Sequence, residues 1–237
     1  MLFFYIRHGD PIYDPDSLTP LGQRQAEALA KRLATFGIDK IYSSTSIRAQ
    51  ETARPTCELL KKEAALLDFA NEGHAWQELT TVTPTGRRWL FQDADATLFF
   101  HSRELIDLGH GWHTHPRFAE CAYEKGLARI QKGADELFSS LGYEHIEGTG
   151  SYRSVNPNDK RVALFAHQGF GLAFLSCILD IPYPVICTHF DMCHTGMTVI
   201  DFQNFNGITI PKVLMLSSDS HLYREGLPTR YNHGHRF

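Results

Sequence analysis

The sequence has no apolar run long enough to cross a bilayer. Its most hydrophobic helical stretch, Phe170 to Leu179, is too short for that and reads as a buried helix. Cysteine is sparse: Cys57, Cys121, Cys177, Cys187 and Cys193 are odd in number and scattered. That excludes a disulfide framework and leaves reduced thiols as the expectation. There is no excess of positive charge, with 23 Lys and Arg against 27 Asp and Glu. A general attraction to nucleic acid or to an anionic membrane is therefore excluded, and any positive field must be local. The apolar opening ends at Arg7 with no basic leader and no cleavage site, so a secretory signal is not expected and a cytoplasmic location is. Internal repeats and low-complexity segments are also lacking. What remains is an ordinary globular composition over 237 residues, enough to bury a substantial core as one domain, 1–237.

Against that background one stretch stands out. Leu2-Phe3-Phe4-Tyr5-Ile6 is short, continuous and rich in strand formers, and Arg7-His8-Gly9 follows at its tip. Gly9 allows a sharp turn and a close approach to a ligand. The design recurs in Val162-Ala163-Leu164-Phe165-Ala166 followed by His167-Gln168-Gly169, which leads into the Phe170–Leu179 run. Between the two lies Tyr42-Ser43-Ser44-Thr45-Ser46-Ile47-Arg48, with serines as N-cap candidates and Arg48 in the first helical turn. Taken singly, these are a surface Arg-His pair, a solvent-facing helix arginine and a core histidine. Taken together, three strand-to-helix turns carry Arg7 and His8, then Arg48, then His167. Orphan helix N–H groups and bidentate guanidinium groups both suit phosphate. The set reads as a phosphate pocket with a histidine inside it.

At these residues the chain resembles the histidine phosphatase superfamily, the phosphoglycerate mutase-like enzymes. The matching pieces are Arg7-His8-Gly9, Leu18-Thr19-Pro20-Leu21-Gly22, Ser43-Ser44 through Arg48-Ala49-Gln50-Glu51-Thr52-Ala53, and Ala166-His167-Gln168-Gly169. The likeness covers about the first sixty residues and resumes from Val162 to Leu222. It implies that His8 is a nucleophile that becomes phosphorylated. It further implies that Arg7, Arg48 and His167, with Gln168 beside them, hold the phosphate without metal or other cofactor. The resemblance places a glutamate proton donor after the third strand. Glu78, in Trp76-Gln77-Glu78-Leu79, is the candidate, and Glu72 the rival. Two positions depart from the family pattern: Asp10 stands where the family often has glutamate, glutamine or asparagine, and Asp14 stands where it tends to have an asparagine that donates to phosphate. A carboxylate there would repel a phosphate dianion unless it turns away or is offset by Arg7 and Arg48.

The mutase branch would require a segment like Glu-Arg-His-Tyr-Gly around the acid, which Glu78-Leu79-Thr80-Thr81 is not, and Arg87-Arg88 lies too close to Glu78 to serve as its carboxylate grip. The expected activity is thus hydrolysis of a small phosphomonoester, with no nucleic-acid or membrane partner. Phosphoglycerate mutase-type transfer and non-catalytic phospholigand binding are the alternatives. Two histidine-containing sets, His110, His113 and His115, and Cys187, His189, Cys193 and His194, lack the spacing of a zinc module. No metal site is expected.

The order of elements predicts the architecture. Thr19 caps a helix with Pro20 at its first position, buries Ala26, Leu29, Ala30, Leu33 and Phe36, and stops at Gly37. A strand over Ile38–Ser43, a helix over Ile47–Lys62 and a strand over Ala65–Phe69 follow. This β-α-β-α-β order predicts a three-layer α/β/α sandwich with a mostly parallel central sheet. From about 80 to 159 a mainly helical cap insertion is expected. It comprises a polar loop over Thr80–Thr85, a short helix opened by Pro84 and running to Leu90, a helix over Phe118–Leu141, and a long loop over Tyr143–Asp159. Thr195–Phe202 and Pro211–Ser217 should be the last two strands, and the tail Tyr231–Phe237 should be loosely ordered.

Overall fold

The computed structural model describes residues 1–83 and 86–232. Leu2–Arg7 is the hub of a six-stranded sheet. The strand order is Lys212–Ser218, Met197–Asp201, Leu2–Arg7, Arg161–Ala166, Lys40–Ser44, Ala64–Leu67. The last four run parallel, and Met197–Asp201 is antiparallel to both of its neighbours. The fold is the expected α/β one with a mostly parallel sheet.

Alternation along the hub strand builds two cores from one element. Phe4 and Ile6 pack with Leu29, Leu33, Ala53 and Phe165 on one face. Phe3 and Tyr5 pack with Phe138, Phe170 and Phe174 on the other. The first face is covered by helices Pro20–Phe36 and Ile47–Leu60, the second by Tyr123–Ser140 and Gln168–Leu179. Because the hub strand is buried on both sides, it reads as one apolar run rather than an alternating one. Among the described residues no helix is long and apolar enough to cross a membrane.

The helix over Pro20–Phe36 forms as the sequence dictates. Thr19 Oγ1 accepts from the Gly22 N–H at 3.0 Å, and Gly37 ends the helix in the left-handed region at φ 71°. Gly22 also lets this helix approach the loop that leaves the hub strand. A Cβ there would stand 2.2 Å from the Asp10 carbonyl oxygen, and one on Gly9 would stand 2.7 Å from the Gly22 carbonyl oxygen.

The 80–159 segment differs from expectation in three places. Thr80–Thr83 and Gly86–Trp89 pair as an antiparallel hairpin instead of a loop and a helix. Pro84 and Thr85, where that helix was to open, lie outside the described residues. The long helix starts at Tyr123, because Pro116–Phe118 forms its own 3-10 turn. Tyr143–Asp159 is not a loop. Tyr143–Ile146 and Ser151–Ser154 pair and join Asn204–Phe205 and Ile208–Thr209 in a second, four-stranded antiparallel sheet. Turn-forming Gly, Ser and Asn dominate that stretch, but Tyr143 and Tyr152 are fully buried against Phe138 and Phe202. Their burial outweighs the local turn preference. Residues 233–237 of the expected loose tail lie outside the described residues.

Candidate active site

Strand register decides which side chains meet. Arg7 pairs with Ala166 across the parallel ladder, so the next residues, His8 and His167, leave the sheet side by side. The His8 N–H is anchored on the Ala166 carbonyl at 2.9 Å. Phe165 pairs with Ser43, which brings Ser44 and the helix behind it to the same edge. This is the carboxyl end of the parallel strands, where open α/β sheets bind ligands.

Arg7, His8, Arg48 and His167 are therefore gathered there, all buried. The rings of His8 and His167 lie 5.2 Å apart. His8 Nδ1 is 2.7 Å from the Gly9 carbonyl oxygen. Only a protonated Nδ1 can make that contact, so Nε2 is left with its lone pair. His167 is held through its other nitrogen, Nε2. Ser44 Oγ accepts from the Ser46 N–H at 3.3 Å and stands 2.8 Å from His167 Nε2. Burial, with repulsion from the cationic arginines, holds both imidazoles well below the ordinary histidine range, and each histidine is neutral at pH 7.

The arginines are held from behind. Arg7 donates to the Met192 carbonyl and to Asn232 Oδ1, each at 2.5 Å. Arg48 donates to Asp16 Oδ1 at 2.7 Å. Even so, among the described residues the buried Arg7 Nε and Arg48 Nε donors have no acceptor, and the buried His167 Nδ1 has no partner. Leaving a buried donor unmade costs about 1–3 kcal/mol each. Two such donors with an unpartnered imidazole nitrogen beside His8 describe a site shaped for an anion.

The glutamate placement corrects the sequence reading. Glu78 does not reach this site; it lies at the far end of the short helix Glu72–Glu78 and is paired with Arg129, Nη2 to Oε2 at 2.7 Å. Six residues span about 600° of helix, so Glu72 and Glu78 point some 120° apart. Glu72 faces the histidines. Its carboxylate accepts from the Gly169 N–H at 3.1 Å and the Phe170 N–H at 2.9 Å, at the start of helix Gln168–Leu179. Burial raises its pKa above the ordinary carboxylate value, against the pull of those two N–H groups and of Arg48 and Arg7.

Asp10 and Asp14 both stay out of the pocket. Asp10 accepts from Thr19 Oγ1 at 2.7 Å and stands 3.2 Å from His194 Nδ1, and that histidine holds its pKa down. Asp14 is exposed in the turn between strands Pro11–Tyr13 and Asp16–Leu18. The carboxylate that does enter is Asp16, through Arg48. Gln168 lines the site, accepting from Asn232 Nδ2 at 2.9 Å and donating to Asp191.

Sequence reasoning missed Asp16, Asn232 and His194, whose ring stacks on His8 at 5.9 Å. An N-cap signal, Asn71 before Glu72, could have favoured Glu72, since Asn71 Oδ1 takes the Gly73 N–H at 2.8 Å. Nothing local marks Asn232. Neither histidine-containing set forms a ligand cluster among the described residues; His115 instead pairs with Glu104 at 2.9 Å.

These groups close one end of a cavity of about 650 Å³, whose other walls come from Trp76, Gln77, Trp89 and Gln92. Residues 4–97 match the model of the histidine phosphatase superfamily, branch 1. The PE-PGRS family protein PE_PGRS11 of Mycobacterium tuberculosis is 35% identical over 226 residues, covering 87% of this chain and 35% of that protein. The chain thus spans about a third of that relative's length. Among solved structures, a mutant phosphoserine phosphatase from Entamoeba histolytica, in complex with phosphoserine, aligns with a TM-score of 0.59 at 19% identity, covering 93% of this chain and 98% of that one. A mycobacterial glucosyl-3-phosphoglycerate phosphatase with inorganic phosphate aligns at 0.60 and 19%, covering 93% and 98%. At that identity the structural likeness speaks for the fold alone.

Proposed function

From the premise that this chain belongs to the histidine phosphatase superfamily, we propose that it hydrolyses phosphomonoesters through a phosphohistidine on His8. Glu72, rather than Glu78, is the proton donor in this reading. The observation that carries it is the trio of buried nitrogens unpartnered among the described residues, Arg7 Nε, Arg48 Nε and His167 Nδ1, set around His8, whose Nδ1–H is taken by the Gly9 carbonyl so that Nε2 carries the lone pair. A phosphate dianion supplies the acceptors that the protein withholds.

The steps follow from those groups. Phosphate enters against Arg7 and Arg48 and displaces the Asp16 carboxylate from Arg48. His8 Nε2 attacks phosphorus; the N–P bond forms as the bond to the leaving oxygen breaks. Glu72, whose pKa burial raises, gives a proton to that oxygen, and the alcohol departs. Water then enters, Glu72 as carboxylate takes its proton, and the oxygen attacks phosphorus. The N–P bond breaks, inorganic phosphate is released, and Glu72 is protonated again. Throughout, the two guanidinium groups and His167 N–H hold charge that moves only slightly, so little reorganisation is needed. No metal takes part in these steps.

Hydrolysis is favoured over isomerisation because neither Arg87 nor Arg88 lines the cavity, and Arg87 is tied to Thr80 Oγ1 at 2.8 Å and to the Gln77 carbonyl. The test is a phosphoester screen with wild type and His8→Ala, beside trapping of covalent phosphate. Turnover and trapping that both vanish in His8→Ala are expected. Isomerisation of phosphoglycerate with little hydrolysis would overturn the reading. Ligand binding without turnover in wild type would replace it with a non-catalytic one.

A further inference from the structure

The turn that presents His167 is pegged by a side chain that the reaction steps leave unused. His167 follows strand Arg161–Ala166 directly and precedes helix Gln168–Leu179 directly. Both of its backbone groups are met by one hydroxyl from the hub strand. Tyr5 Oη donates to the His167 carbonyl at 2.6 Å and accepts from the His167 N–H at 3.2 Å. The same carbonyl takes the Gly171 N–H at 3.2 Å, a bond of the first helical turn. Packing fixes the hydroxyl in turn. The Tyr5 ring is fully buried and stacks on Phe174 at 5.6 Å and on Phe170 at 6.4 Å. A Cβ on Gly171 would stand 2.5 Å from Tyr5 Oη, so a glycine there lets the helix settle onto the hydroxyl. Burial raises the phenol pKa well above its ordinary value, so the hydroxyl keeps its proton and both bonds.

Place on the strand gives this peg its consequence. Tyr5 belongs to the strand that ends at Arg7 and delivers His8. A fixed bond from Tyr5 to the His167 peptide therefore fixes one histidine against the other. The His8 N–H on the Ala166 carbonyl ties the two chains one residue earlier, and Glu72 holds the Gly169 and Phe170 N–H groups further along. His167 itself is left to Tyr5. Resting on the phosphomonoester reading above, we propose that Tyr5 is a positioning residue: its hydroxyl, bonded to both backbone groups of His167, sets the His167 imidazole against the phosphate beside His8. Tyr5 is not among the described residues that line the cavity, so it acts through His167 and not on the substrate. Tyr152 is the matched case without that link. It is fully buried too, and its hydroxyl donates at 3.2 Å to the Ile178 carbonyl, at the far end of the same helix.

Tyr5→Phe deletes the hydroxyl and keeps every ring contact, so the chain should still fold. Its kcat/KM on phenyl phosphate should fall by about tenfold, within the roughly hundredfold that an ångström of misplacement can cost. Tyr152→Phe should lower Tm by a similar amount and leave kcat/KM at the wild-type value. The decisive measurement is a double-mutant cycle with His167→Ala. In that background Tyr5→Phe should change kcat/KM by less than about twofold, because the group it acts through is gone. The same cycle is read in binding, by calorimetry of inorganic phosphate on His8→Ala, where transfer cannot occur. There Tyr5→Phe should weaken phosphate when His167 is present and leave it unchanged when residue 167 is alanine. Losses that multiply in both cycles, or a Tyr5→Phe variant with lower Tm and full activity, would overturn the positioning role and leave the hydrolase reading intact. A coupled loss of phosphate affinity in a protein that turns over no phosphoester would support the positioning role and remove only the hydrolase reading.

Discussion

Replacing Glu72 by glutamine removes one ionisable proton while keeping the shape and one acceptor for the Gly169 and Phe170 N–H groups. One of the two N–H groups loses its acceptor, a cost of about 1–3 kcal/mol, while the other keeps its bond, so the fold should survive. The lost proton matters in proportion to how badly the leaving oxygen needs it. For an alkyl phosphate the general-acid contribution is about 10²- to 10⁴-fold, which converts to roughly 3–5 kcal/mol in the barrier. For an aryl ester with an acidic phenol leaving group the loss should be tenfold or less in the first step. Steady-state kcat and kcat/KM on an alkyl and an aryl ester separate these cases, and kcat/KM on the aryl ester isolates the first transfer. Glu78→Gln is the matched comparison. Its carboxylate is bound to Arg129 outside the cavity, so the change should cost stability, about 2 kcal/mol for a charge-assisted pair, and leave kcat near wild type. If Glu78→Gln abolished alkyl turnover while Glu72→Gln did not, the assignment of the acid would be refuted.

The pH profile should show the same groups. Glu72 is raised by burial, so alkyl turnover should fall as pH rises through its elevated pKa, and Glu72→Gln should flatten that limb. His8 and His167 titrate well below 6.5 when folded, so the unfolded chain binds more protons between that lowered range and 6.5. Stability should therefore decline as pH falls through that window, by up to about 1.4 kcal/mol per unit for each histidine. Denaturant melts of wild type and His8→Ala across acid pH test this, since the variant should lose part of the dependence. Asp16→Asn removes a carboxylate that competes for Arg48; KM should drop by up to about fivefold, the size of a partly exposed ion pair. Gly169→Ala forces Trp89 off its seat and should cost about 1–3 kcal/mol by overpacking, read as a lower Tm with raised KM. A chelator should leave turnover unchanged, and loss that is restored by a divalent metal would contradict the metal-free chemistry.

Much of the site is legible in the chain because its strongest signals are local. A strand that ends in Arg-His-Gly and another that ends in His-Gln-Gly state both the element and its tip in one stretch, since apolar run length and glycine conformational freedom act over a few residues. The helix from Pro20 to Phe36 is likewise specified by its own caps. The misread stretches share a different cause. In Thr80–Leu90 and in Tyr143–Asp159, turn-forming residues dominate the local signal, while a few buried aromatics, Trp89, Tyr143 and Tyr152, hold strands through contacts far away in the chain.

The sequence by itself determined the parallel sheet, the three turns that carry Arg7 with His8, Arg48 and His167, and the polarity of the pocket they make, because each depends on neighbours in the chain. Only the tertiary structure decided that Glu72 and not Glu78 enters, since both occupy one short helix and the packing of that helix chooses which side faces inward. It also decided that Asp10 turns to His194, that Asp16 closes on Arg48, and that Asn232 reaches Arg7 across 225 positions of chain. Contacts of that kind are set by where helices come to rest on a sheet, and no local pattern encodes them.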